Sequence, residues 1–325
     1  MMAFTFQRRC FAAQSLFMAR LAPLMGKASS RWWQRLERNS AAVLRGQVGS
    51  SQIPSAGDLH LSWEVLGPEG GPIQTVVTPR GQLARDAARP LASAIAERGK
   101  RVLVWDRRCT GESSAWAPLE EESLPEQEVQ DLVGLLDKLT DPTSPISPVC
   151  LVGLSSGARL SALFAARHPE RVSGLILLPT GDFYGAASVL GRAYYGDCAD
   201  TVEAGGMEAV AEAEGSPFRI LANNSSRARD ELLSADPKVF VSTMRRSQAF
   251  MDRFEGCSIL GLHSAEVARL QVPALILHHG LEDDHLHALE DATALAKQLP
   301  GGRLVLESDA TKFKEAAANF APTHT

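Results

Sequence analysis

The chain has little of what marks several large protein classes. Its five cysteines, Cys10, Cys109, Cys150, Cys198 and Cys257, are odd in number and scattered, without a C-x-x-C pair or metal-ligand spacing. That pattern excludes a disulfide framework and a cysteine-based zinc site, and it fits a reducing compartment. No run of about eighteen uncharged apolar residues occurs, so no membrane-spanning helix is expected. A formal net charge of -5 over 325 residues leaves no electrostatic case for nucleic acid as the partner. Repeats and functional low-complexity tracts are absent too. With 45% hydrophobic and 22% charged residues, the composition is that of a globular chain, long enough for one large α/β domain with an insertion.

Acids are scarce at the start. Before residue 51 the chain carries Arg8, Arg9, Arg20, Lys27, Arg31, Arg35, Arg38 and Arg45 against the single acid Glu37. This is the composition of a mitochondrial or plastid transit segment. The short apolar run Cys10 to Ala19 after Arg8-Arg9 suggests a secretory signal instead, but no small-residue cleavage site follows it. A basic arm on a cytoplasmic protein is the plainer alternative. Residues 1–50 are therefore read as an arm outside the fold.

The most informative stretch is Pro148 to Gly157, PVCLVGLSSG, which ends in Gly153-Leu154-Ser155-Ser156-Gly157. The pattern G-x-S-x-G describes a sharp strand-to-helix turn with a serine at its tip, where flanking side chains would collide with the backbone. Bare matches are common, so context decides. Cys150-Leu151-Val152 reads as a buried strand, Leu160, Leu163 and Phe164 recur at helical spacing, and a second apolar run spans Val172 to Leu178. Strand, helix and strand in this order predict a parallel pair.

The same alternation runs along the chain. Leu59 to Leu66, Ile73 to Thr78 and Val102 to Trp105 read as strands, and Ala88, Leu91 and Ile95 share a helical face. Ser123 with Glu126 fits a capping box, opening a helix with Val129, Leu132, Val133 and Leu136 on its apolar face. After Leu178 no comparable strand occurs until Pro273 to Leu277; the segment 181–270 is therefore read as a helical insertion. It holds all three tyrosines, Tyr184, Tyr194 and Tyr195, read first as packing of a small cap core and second as lining of a pocket. Leu289, Ala292, Ala296 and Leu299 mark a later helix, and Arg303 to Leu306 the last strand.

In the order TPRG, WDRRCTGES, GLSSGARLSALFAARHPERVSGLILL and HHGLEDD, the chain resembles the α/β-hydrolase family, and within it cap-containing members of the proline-iminopeptidase-like and ring-cleavage-hydrolase-like type. The resemblance covers about Leu59 to Leu306. It implies a mostly parallel eight-stranded sheet flanked by helices, with core segments 55–180 and 271–316, a helical cap at 181–270 inserted after the sixth strand, and a tail at 317–325. It also implies a serine hydrolase that cleaves an ester, amide, thioester or activated C-C bond of a small, partly apolar substrate through an acyl-serine.

By the same resemblance Ser155 is the nucleophile, and Ser156 supplies one oxyanion-hole N–H. Arg80 or Gly81 supplies the other, because Pro79 has none. Asp283 is the acid, with Asp284 and then Asp182 as alternatives, and Asp106 is a structural brace. No metal or cofactor is implied, and oligomeric state is left open. Relatives carry the histidine directly after the last strand, but Glu307 to Phe313 contains none; the sole histidine beyond is His324, in a tail poorly suited to positioning a base. His278, His279, His285 and His287 crowd the acid loop, where they are read as structural rather than as zinc ligands. The absent histidine gives two competing readings: a degenerate family member that binds without turnover, or a chain whose true C-terminus carries the base.

Overall fold

A computed structural model describes residues 25–38, 46–53, 59–113, 122–140, 147–224 and 226–320. Eight strands form one sheet: β1 (Gln47–Gln52), β2 (His60–Leu66), β3 (Thr75–Thr78), β4 (Val102–Trp105), β5 (Val149–Leu154), β6 (Val172–Leu178), β7 (Ala274–His278) and β8 (Gly302–Leu306). Their order is β1-β2-β4-β3-β5-β6-β7-β8. β2 runs antiparallel to β1 and to β4, and every other neighbouring pair is parallel. β3 to β7 are buried throughout except for Ser173 in β6, as expected for strands covered on both faces, and this is why they read as unbroken apolar runs.

The helices of the core are α1 (Lys27–Leu36), α2 (Arg89–Ala96), α3 (Leu124–Leu139), α4 (Ser156–Arg167), α11 (Leu289–Gln298) and α12 (Ala310–Phe320). α3 opens on the expected capping box of Ser123 and Glu126. Between β6 and β7 the described chain is helix and loop: α5 (Ala186–Gly191), a π-helical turn (Arg192–Gly196), α6 (Asp197–Glu212), α7 (Pro217–Asn224), α8 (Ser226–Leu233), α9 (Pro237–Asp252) and the short α10 (Ser264–Val267). α9 packs on α5 and α6 around Phe240, Met244, Phe250 and Met251, and Ser247 Oγ accepts a hydrogen bond from Leu124 N at 2.9 Å, seating the cap on α3. No described helix is long and apolar enough to cross a membrane.

Three elements depart from the sequence reading. The arm assigned to residues 1–50 is not all outside the fold. Residues 27–36 form α1, whose Trp32, Trp33 and Leu36 are each 3% exposed or less, and residues 47–52 form the edge strand β1. Arginine-rich composition hid α1, because its basic residues cover the outer side while two adjacent tryptophans bury. β1, reading QVGSSQ, carries almost no apolar alternation. At the other end α12 runs to Phe320, past the expected limit of the core at 316, because Phe313, Ala317 and Ala318 bury along one side.

Candidate active site

Register brings the site together. Thr78 pairs with Gly153 and Leu154 with Leu178, so the loops leaving β3, β5 and β6 emerge side by side at the carboxyl edge of the sheet, where ligands bind in open α/β folds. Ser155 lies between β5 and α4 with φ 56° and ψ −116°, a conformation costing a non-glycine residue of order 1–3 kcal/mol. Its N–H is held by Leu178 O at 2.7 Å. A Cβ at Gly153 would lie 2.3 Å from Gly157 O, and one at Gly157 would lie 2.4 Å from Thr78 O. The two flanking glycines are thus required by backbone contact, as the motif predicts.

Ser155 Oγ rests 3.0 Å from Thr180 Oγ1. Both line a cleft with Met25, Arg80, Gly81, Gln82, Arg107, Ser156, Arg159, Leu190, Tyr194, Tyr195, Leu260, Leu286 and His287. The π-helical turn carries Tyr194 and Tyr195 to the wall, so two of the cap tyrosines line the cleft as well as packing the cap; Tyr184 is exposed. Gly81 has φ +55°, and its carbonyl accepts from Arg107 Nη2 and from Ser156 Oγ. Those bonds pin the β3 loop against the first turn of α4, so that Arg80, Gly81 and Ser156 line the same cleft as Ser155.

The loop after β7 divides its two acids. The Asp283 carboxylate accepts from Ala28 N at 2.8 Å and Ser29 N at 3.1 Å, acting as an N-cap for α1 supplied from across the chain. Asp283 O accepts from Gly26 N at 2.5 Å. Asp284, 2% exposed, accepts instead from His287 Nδ1 at 3.0 Å, His287 N at 3.2 Å, His279 Nε2 at 3.0 Å, Ser29 Oγ at 2.5 Å and Trp33 Nε1 at 3.3 Å. Burial opposes its charge, but the neighbouring imidazoles and their hydrogen bonds outweigh burial and hold its carboxyl far below the usual carboxylate range. Asp182 is committed elsewhere: it accepts from Ala187 N at 2.6 Å and Gly256 N at 2.7 Å, bracing the cap entrance. Asp106, 1% exposed, pairs with Arg85 and accepts from Arg85 N and Glu112 N, the bracing role expected of it.

Backbone donors fix the imidazole tautomers. Leu281 N donates to His279 Nδ1 at 3.1 Å, so the His279 proton is on Nε2, facing Asp284. Gly280 N donates to His278 Nδ1 at 2.9 Å, and His278 Nε2 donates to His287 O at 2.7 Å; burial pushes His278 down to about 4, keeping it neutral. His287 Nδ1–H donates a hydrogen bond to the Asp284 carboxylate, which leaves the lone pair on Nε2. That atom is buried with no hydrogen-bond partner, and His287 lines the cleft that holds Ser155. His279, Asp284 and His287 present ligand atoms within 4.8 Å of one another, yet their facing atoms are already occupied by hydrogen bonds, so the donor set does not suit a cation.

A family model described as alpha/beta hydrolase fold matches residues 82–311, well over half of the chain. The chain belongs to the α/β-hydrolase family. Its sequence matches no curated protein. Among solved structures this α/β hydrolase is similar to the enol-lactonase from Burkholderia xenovorans, at 20% identity over 83% of this chain and 96% of that one with a TM-score of 0.51. An esterase from Exiguobacterium antarcticum shares 17% identity over 85% and 99% with a TM-score of 0.55. The meta-cleavage product hydrolase from Pseudomonas fluorescens shares 17% identity over 84% and 97% with a TM-score of 0.54. In this α/β hydrolase His324 lies outside the described residues, and the imidazole in the cleft comes from the loop after β7. The sequence reading missed it by looking only beyond β8; the signal available was Asp284-x-x-His287, an acid and a histidine three apart in the acid loop.

Proposed function

We propose that the protein is a serine hydrolase in which Ser155 is the nucleophile, His287 the general base and Asp284 the acid that orients it. The observation that carries the reading is the His287 imidazole: Nδ1 locked by a buried carboxylate, Nε2 bare, in the cleft of a strained serine. Asp284, first held as an alternative to Asp283, takes the acid's part because Asp283 is spent on α1. The Ser155 hydroxyl shifts from Thr180 to His287 Nε2 as substrate enters, since catalytic hydrogen bonds commonly tighten only in the substrate complex.

In the first half-reaction Ser155 Oγ attacks an acyl carbonyl carbon while its proton passes to His287 Nε2. The oxyanion is met by the N–H of Ser156 and an N–H from Arg80 or Gly81. The carbon–leaving-group bond then breaks as the imidazolium returns its proton to the leaving group. Water, deprotonated by the same nitrogen, attacks the acyl-serine, releasing the acid and restoring the hydroxyl. Leu190, Leu260, Leu286 and Met25 give the cleft the surface for a small, partly apolar acyl group, bound as ester, thioester, amide or activated C-C ketone.

Arg159 adds a charge. It sits one helical turn beyond Ser155, is 7% exposed, contacts Met251 Sδ at 3.2 Å and Glu128 at 4.0 Å, and its Nε has no partner. An acyl group ending in a carboxylate fits that cation. The test is hydrolysis of a panel of short-chain aryl esters and lactones by the wild type and by Ser155→Ala. Turnover that vanishes with the hydroxyl supports the reading; no turnover, or turnover that survives Ser155→Ala, overturns it.

A further inference from the structure

We propose that α1 is a positioning element of the reaction centre: Ser29 and Trp33 fix the Asp284 carboxylate so that it locks the His287 imidazole, and the centre is complete only with the N-terminal segment seated. This rests on the serine-hydrolase reading of the same cleft. Asp284 Oδ2 receives two of its hydrogen bonds from α1, through Ser29 Oγ and Trp33 Nε1. Without them the carboxylate keeps only the donors of its own loop and β7 end, His279 and His287, and is held less firmly.

Further contacts tie the same helix and its flanking residues to the site. Asp283 caps its first turn. Met25 forms an isolated antiparallel bridge with Asp284 and lines the cleft. The Trp33 ring lies 5.0 Å from the His287 ring, and Trp32 lies 4.8 Å from His279 and 4.9 Å from Phe313. At the far end Arg80 stacks over Trp33 at 4.5 Å, and its Nε bonds Glu37 at 2.7 Å, so α1 also holds the loop that supplies an oxyanion donor. One helix thus links the acid–base loop to the oxyanion loop. The two consecutive acids divide the labour, Asp283 anchoring the helix and Asp284 receiving its donors.

The test uses full-length chains carrying Ser29→Ala, Trp33→Phe or Ser29→Thr, with aryl-ester kinetics, melting temperature and the low-field imidazole N–H proton resonance of His287, assigned by its loss in His287→Ala. Each hydrogen bond to a buried carboxylate removed should lower kcat about tenfold with KM changed less than about twofold. Ser29→Thr, which keeps the hydroxyl, should recover most of the rate. The His287 resonance should weaken in Ser29→Ala and Trp33→Phe and persist in Ser29→Thr. Unchanged kcat and resonance, or a loss of rate that tracks melting temperature and is not rescued by threonine, overturns the proposal. A wild type without ester turnover overturns the hydrolase reading, and the resonance then decides the role of α1 alone.

Discussion

Replacing Asp284 by Asn exposes the logic of the site, because the amide cannot serve all the donors the carboxylate now serves. Oδ2 accepts from Ser29, Trp33 and His279 as well as from His287, whereas Oδ1 faces only His287 N and Nδ1. The Asn oxygen takes the Oδ2 position, where His279 is fixed as a donor by Leu281 N. Its NH2 group then points at His287 Nδ1 and forces the proton to Nε2, the tautomer that cannot accept from Ser155. The expected loss in kcat is on the order of 10³- to 10⁴-fold, the cost of a wrong-tautomer imidazole in a serine triad. Stability should fall by roughly 1.5–3 kcal/mol, because His287 N loses its acceptor and charged acceptors become neutral. The assay is kcat and KM on an aryl ester, paired with urea unfolding. Asp283→Ala is the control: it removes the cap of α1, worth about 1 kcal/mol, and should reduce kcat far less. Asp284→Asn retaining a substantial share of the wild-type kcat, or Asp283→Ala proving the more damaging, would refute the assignment of the acid.

Two other outcomes follow from the charges. Asp291, held by Phe183 N at 3.3 Å, has its carboxyl pushed up to about 7, first by burial and then by Asp182 and Glu290. Because its folded pKa exceeds the unfolded value of about 3.9, stability should be lost as pH rises from about 4 to about 7 and level off above; Asp291→Asn should flatten that part of the melting-temperature profile. If Arg159 receives a carboxylate, aryl hemiesters of dicarboxylic acids should be turned over with higher kcat/KM than aryl esters of matched length, and Arg159→Met should erase the preference chiefly through KM.

Much of this was legible in the sequence. The buried strands from β3 to β7 announced themselves because parallel strands covered on both faces are continuously apolar, and Gly153-x-Ser155-x-Gly157 was readable because its turn tolerates no side chain at the flanks. The cap was visible as a gap in the alternation. What stayed hidden depends on contacts between distant segments. α1 has the arginines of a solvated arm, and only its docking on Phe313 and His279 shows that Trp32 and Trp33 are core. Choosing between Asp283 and Asp284 required knowing that one carboxylate caps the first turn of that helix while the other meets the His287 imidazole. His287, our proposed base, was concealed by an expectation about position in the chain, since a base needs reach and a tautomer rather than a particular strand before it. Cys150, read as a thiol in a buried strand, is 1% exposed in β5, and burial pushes it up to about 12, which leaves it an inert core side chain.

The most direct test of the account is the rate at which a fluorophosphonate probe labels Ser155, located by mass spectrometry of the digested protein, in the wild type and in His287→Ala. The account predicts a single adduct on Ser155 in the wild type and a rate lower by on the order of 10²-fold or more without the imidazole. Equal labelling rates in the two proteins, or a wild type whose Ser155 stays unmodified, would contradict it.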